Sequence, residues 1–386
     1  MRHFADLLSS PGLARVITSQ LIARIPAGMT SLGMLMHVEH LKGNYASAGA
    51  VLAALSIGMA AAGPIVSRQL HRFGTQPVLL ACLTISTLTL LPVVLFPMPL
   101  WAMLALTAVA GATIPPIQPV VRTLYPTMAP PGRVQALFSL DAALQEIIWV
   151  LGPVLITTMV ATLGSTTAML VVLGVQVGGG ALFILDPVVR RLRIPASTGR
   201  FGRVLANPSV LLMTGVSFLV IGCLAAMEAA VVGTFGEGSL LTGYVLALSS
   251  LGSLLGGLAV GNRVVNRWSM PVRLLVMAAG LGAATMMQGF WGITAALFVT
   301  GLGTAPAIAA MSSIIASSVS FADTAEAYGW LTTGQLMGAA LGSAAAGLAI
   351  DALGGRGGMI VSLTLGAVAV VASALFRRAT PQSLTR

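Results

Sequence analysis

Between residues 63 and 77 the chain reads GPIVSRQLHRFGTQP, with Arg68, His71 and Arg72 inside five positions. The residues before it, ASAGAVLAALSIGMAAA (46–62), carry no charge, and neither do those after it, VLLACLTISTLTLLPVVLF (78–96). A helix needs ~20 apolar residues to cross a bilayer. The basic stretch is therefore a short loop between two crossings, and the pattern of apolar run, basic loop and apolar run recurs along the chain.

Of the 386 residues, 56% are hydrophobic and 8% charged. A soluble domain carries ~25% charged residues, so this composition excludes one. The runs are long and glycine-rich and lack the alternation of a membrane β-barrel. Twelve helical spans are expected, at about 13–37, 46–67, 77–97, 100–124, 135–162, 166–186, 208–234, 240–262, 271–288, 290–316, 325–350 and 357–376. No segment resembles a removed signal peptide. The net charge of +10 suggests a nucleic-acid partner, but the basic residues are dispersed among short loops, and none is expected.

Arginine orients the bundle. With the N-terminus in the cytoplasm, the inner loops and helix ends hold seventeen arginines, and the outer loops hold only Lys42 and Arg356. That is a positive-inside pattern with both termini cytoplasmic. The longest connection, PVVRRLRIPASTGRFGRVLAN (187–207), divides an N-terminal bundle (1–186) from a C-terminal bundle (208–386).

The halves echo one another. SIGMAAAGPIVSR from Ser56 resembles SLGSLLGGLAVGNR from Ser250, at an offset of 194. Thr113–Pro115 (TIP) is echoed by Thr304–Pro306 (TAP), offset 191; Gln145 and Gly152 are echoed by Gln335 and Gly342, offset 190. Parallel repeats imply two six-helix bundles with a site between them near the midplane.

With these features the sequence resembles the major facilitator superfamily, over the whole chain. The loop after span 2 carries part of that family's G-x-x-x-D-R-x-G-R-R signature. Arg72 and Gly74 match it; Ser67 stands for the leading glycine, His71 for the aspartate, and Thr75–Gln76 for the basic pair. The resemblance implies an inner gate at Arg68, His71, Arg72 and Gly74, for which Glu326 is the acid placed to pair, unless the arginines only enforce topology. Gly152–Pro153 is similar to a fragment of the antiporter motif of drug and metabolite exporters; a plain proline kink is the other reading.

No enzyme chemistry is legible. A phosphate-binding loop needs G-x-x-x-x-G-K-[ST], and the single lysine is Lys42. His37 and His40 flank Glu39 at a span end and read as interfacial. The two cysteines, Cys82 and Cys223, lie in expected spans and form no ligand motif. No cofactor or metal is expected, which leaves ion-gradient coupling or facilitated diffusion.

A charge at the bilayer centre costs at least ~2.5–3.5 kcal/mol, so each intramembrane ionisable group is a functional candidate. These are Arg24, Arg122, Asp141, Glu146 and Glu228. By rise per residue, Arg24 and Glu146 lie ~18 and ~17 Å deep and form one expected pair; Asp141, ~10 Å deep, and Arg122 form a second. Asp141 and Glu146 are ~140° apart around their helix, which argues against an acid–base dyad. Glu228 has no opposite charge in its own span. Either it is wet near the outer surface or it binds a proton or cation.

Gln20, Gln118, Met227, Met311, Trp330 and Gln335 are candidate cavity residues. The expectation is a monomeric, proton-coupled exporter of a hydrophobic or amphipathic small molecule in a bacterial plasma membrane. The alternative is uptake of a small polar solute such as a sugar or organic acid.

Overall fold

Glycine, asparagine and proline punctuate the helices. Gly43 (φ 69°) ends the first span, and the Asn44 side chain accepts from Ser47 N at 2.8 Å to start the second. Asn207 caps the seventh in the same way, with Pro208 in its first turn, where the missing N–H costs nothing. The computed structural model describes residues 12–130, 133–194, 201–236, 240–260, 263 and 265–380. The side chains of Tyr45, Ala46, Glu146, Val150 and Leu240 fall outside that description.

Twelve helices are long and apolar enough to cross a membrane. Spans 1–6 are Leu13–Lys42, Ser47–Phe73, Thr75–Leu95, Leu100–Met128, Val134–Leu163 and Ser165–Ile184. Spans 7–12 are Pro208–Phe235, Leu241–Val260, Ser269–Met286, Gly289–Ser318, Phe321–Leu353 and Gly355–Leu375. The described residues form no β-strand.

Span 4 departs from the expected continuous helix. It breaks into Leu100–Ala112 and Ile117–Met128. Pro115 and Pro116 between them remove two backbone donors, and a proline disfavours the α-conformation of the residue before it. Span 10, whose TAP echoes TIP, has one proline there and runs unbroken from Gly289 to Ser318.

The two halves repeat their packing as well as their sequence. A Cβ on Gly152 of span 5 would sit 2.6 Å from the Gly28 carbonyl oxygen of span 1; one on Gly222 of span 7 would sit 2.8 Å from that of Gly338 in span 11. Gly342 of span 11 meets the Gly222 backbone as Gly152 meets Gly28. The offsets, 194 and 190, are those of the sequence echoes. Gly58 of span 2 abuts Ala108 of span 4, as Gly252 of span 8 abuts Phe298 of span 10. Only a residue without Cβ permits such backbone approach, a device suited to helices packed in lipid.

The contacts described between the halves gather toward the arginine-rich end. Span 2 meets span 11 where Thr333 Oγ1 donates to Ala60 O at 2.9 Å and Gly63 packs against Gly329. Span 5 meets span 8 at Ala143 and Gly257, and span 10 where Ser313 donates to Gln135. Thr333 is twelve residues into span 11, so this seal is ~18 Å deep. Beyond it the same faces part: Ile57, Met337 and Leu341 are 67%, 50% and 57% exposed. The bundle is sealed at its basic end and splayed at the other.

Candidate functional site

One carboxylate gathers three helices. Asp141 of span 5 is buried, and its Oδ1 accepts from Tyr125 Oη (2.9 Å), Arg24 Nη1 (3.1 Å) and Gln20 Nε2 (3.3 Å). Its Oδ2 lies 3.5 Å from Arg122 Nε. Arg24 also donates to Gln20 Oε1 at 2.9 Å and, through Nη2, to Gln145 Oε1. With its carbonyl turned to Arg122, the orientation the hydrogen bonds favour, Gln118 accepts from Nη1 at 3.0 Å and Nη2 at 2.7 Å. Spans 1, 4 and 5 thus bring two guanidiniums and one carboxylate into a single buried network. The spacing explains why: Gln20 and Arg24, and Asp141 and Gln145, are i,i+4 pairs, and Gln118, Arg122 and Tyr125 follow one face of span 4.

Arg122 and Asp141, one of the two pairs expected from depth, lie together. Arg24 is held by Asp141, which it shares with Arg122; the side chain of Glu146, its expected partner, lies outside the described residues. Tyr125 and Gln145 were missed as site residues. Their signal was present in the sequence, one turn beyond Arg122 and Asp141 on the same faces.

Glu228 stands apart, exposed on span 7. Span 7 meets span 11 through Gly222 and span 12 through Cys223, whose carbonyl accepts from Ser362 at 2.8 Å. At 100° per residue, Glu228 lies ~120° from the first contact and ~140° from the second. Eleven residues earlier on the same face, Ser217 is fully buried. This face is closed near the basic end and open further out.

The candidate cavity residues scatter. Gln20 and Gln118 belong to the network. Met227 and Met311 are packed in the apolar core, because a residue's depth does not fix the helix face it occupies. Gln335 is half-buried in span 11. Trp330 is in the basic-end seal, its ring 5.8 Å from that of Phe201 in the linker. His37, toward the end of span 1, is buried beside Ser165 Oγ at the start of span 6, 3.1 Å from Nδ1. Among the described residues no three metal-ligating side chains cluster.

At the seal, Arg68 Nη1 lies 3.7 Å from Glu326 Oε2, and Glu326 Oε1 accepts from Gly202 N at 2.8 Å. Arg68 also lies 5.8 Å over the Phe201 ring, so the linker between the halves takes part in the closure. Arg72 is exposed and stacks at 5.1 Å on Phe73; His71 is half-buried, and Gly74, at φ 87°, turns the chain from span 2 into span 3. At 3.7 Å the pair is long and Arg68 keeps 20% of its side chain exposed, so its contribution is taken as ~1 kcal/mol. Glu326→Gln is expected to raise maleimide labelling of a cysteine placed at Ser67, buried in this seal, up to roughly fivefold. An unchanged rate would show that the pair does not hold the seal.

The Major Facilitator Superfamily profile matches residues 16–287 and 210–386. The chain belongs to the Major Facilitator Superfamily. Solved structures agree in fold at low identity. A bacterial homologue of the iron transporter ferroportin in its outward-facing state is 14% identical, with a TM-score of 0.77 over 94% of this chain and 98% of that one. The human organic anion transporter MFSD10 is 15% identical, TM-score 0.73, over 94% and 100%. The E. coli fucose:proton symporter is 10% identical, TM-score 0.72, over 94% and 98%. No curated protein matches the sequence. This superfamily member is a multi-pass membrane transporter, not an enzyme.

Proposed function

We propose that the chain is a proton-coupled secondary transporter that exports a hydrophobic or amphipathic small molecule, a drug or secondary metabolite, by rocking its halves about a central site. Its arginine-rich end faces the cytoplasm of a bacterium, both termini are cytoplasmic, and one chain suffices. The observation that carries the proton coupling is Glu228, an acid inside span 7 that is exposed on a face turned from spans 11 and 12. The apolar helix faces beyond the seal support an apolar cargo.

One observation favours the alternative, uptake of a small polar solute: the amide and guanidinium groups of Gln20, Gln118, Gln145, Arg24 and Arg122 converge near the midplane. Two steps test the proposal. An exporter-deficient bacterial host expressing the chain is challenged with a panel of dyes and antibiotics. Compounds whose toxicity falls are then added to reconstituted vesicles holding a trapped pH dye. The expected result is a pH change driven by the compound. Transport that persists undiminished after a protonophore collapses the gradient would sink the coupling; protection against no compound, with accumulation of sugars or organic acids, would favour uptake.

A further inference from the structure

The two described ends of the linker are fastened to different halves. Upstream, the Thr75 hydroxyl at the start of span 3 donates to Leu192 O at 3.2 Å. Downstream, residues 201–207 are tied to the C-terminal half. Gly202 N donates to Glu326 Oε1 at 2.8 Å, Phe201 packs on Trp330 of span 11, and Asn207 Nδ2 donates to Ser318 O at the end of span 10, at 2.7 Å. Val204 and Leu205 pack against the apolar core. Gly202 has φ 79° and leads into a 3-10 turn, Arg203–Ala206. A residue with a Cβ resists that φ, so the glycine fixes where the neighbouring ring stands.

Phe201, Trp330 and Glu326 thus form one socket on the C-terminal half, and Arg68 of span 2 enters it from the other half. Arg68 Nη1 and Glu326 Oε2 are 3.7 Å apart, beyond hydrogen-bond length, and the carboxylate's short bond goes to Gly202. The guanidinium carbon stands 5.8 Å from the Phe201 ring centre, within cation–π range. A guanidinium is planar and weakly hydrated, so it can stack on a ring while an acid meets its edge. When the halves part at this end, Glu326 keeps Gly202 as a partner, so withdrawal of Arg68 does not strand the carboxylate.

We propose that Phe201 positions Arg68 in the basic-end seal, as a second latch residue beside Glu326. The inner gate opens when Arg68 leaves a socket, part aromatic and part acid, that travels with the C-terminal half. The end of the linker is then a working part of that half rather than a passive tether. This goes beyond the proposed function and holds for either direction of transport and any coupling ion.

The test is the rate of maleimide labelling of Ser67→Cys in the full chain in nanodiscs, where the native Cys82 and Cys223 are buried. Phe201→Leu keeps an apolar side chain but removes the ring face, and is expected to raise the rate about two- to fivefold. Phe201→Tyr keeps the face and should label like the parent. The deciding comparison is made in Arg68→Gln. There Phe201→Leu should add nothing, because the ring acts through the guanidinium. Both members of that comparison place the same neighbour beside the reporter thiol. Thermal unfolding of each variant is measured alongside, and if Phe201→Leu does not fold, Phe201→Met takes its place. A parental rate in Phe201→Leu would overturn the proposal, as would Phe201→Tyr labelling as fast as Phe201→Leu. An equal rise with and without Arg68 would also overturn it, by reducing the ring to packing alone. Neither cargo nor gradient is present, so failure here is separate from failure of the export reading.

Discussion

Asp141→Asn is expected to lower stability by ~3–5 kcal/mol and abolish transport. The substitution hardly changes shape, so the loss comes from charge. Arg24 and Arg122 both lean on one carboxylate, at 3.1 and 3.5 Å, and without it two guanidiniums face each other in a dry site. Thermal unfolding in nanodiscs measures the first effect, and vesicle flux the second. Adding Arg122→Gln to Asp141→Asn removes one of the two guanidiniums left facing each other. The double variant should regain most of the lost stability, though not transport. A singly substituted Asp141→Asn protein as stable as the parent would show that the carboxylate does not neutralise the pair.

Glu228→Gln is expected to cut cargo-driven proton flux more than tenfold while leaving exchange of cargo across the membrane intact. An amide of the same shape cannot carry a proton, but it leaves the packing of Gly222 on span 11 and Cys223 on span 12 undisturbed. Flux and exchange are read on the same vesicles. Proton flux at parental level would place the coupling group elsewhere. Loss of both flux and exchange would assign Glu228 to cargo binding.

Much of the architecture was legible because membrane folds are written in length and charge placement. The arginine asymmetry, the short loops and the glycine echoes at a constant offset lead directly to two similar six-helix bundles. The site was less legible, for three reasons. Counting depth placed Arg24 level with Glu146, but an arginine side chain is long enough to reach a full turn down to Asp141. Depth carries no information about facing, so Met227 and Met311 went to the core instead of a cavity. Phe201 lies in a run of glycine and arginine, and nothing local marks it as a ring that packs on Trp330 beneath Arg68. The diproline at Pro115–Pro116 was visible, but span length alone concealed what it does.

That break divides one crossing between two allegiances. The segment Leu100–Ala112 is locked to span 2 by Gly58 and Gly111, backbone on backbone. The segment Ile117–Met128 carries Arg122 and Tyr125 and answers to Asp141. Two missing amide donors uncouple them, so a change in the charge network can tilt the lower segment like a knee while the thigh stays still. Span 10, with a single proline at the matching place, has no such joint. The two halves of the carrier are alike in outline, yet one has a jointed fourth helix where the other has a continuous rod.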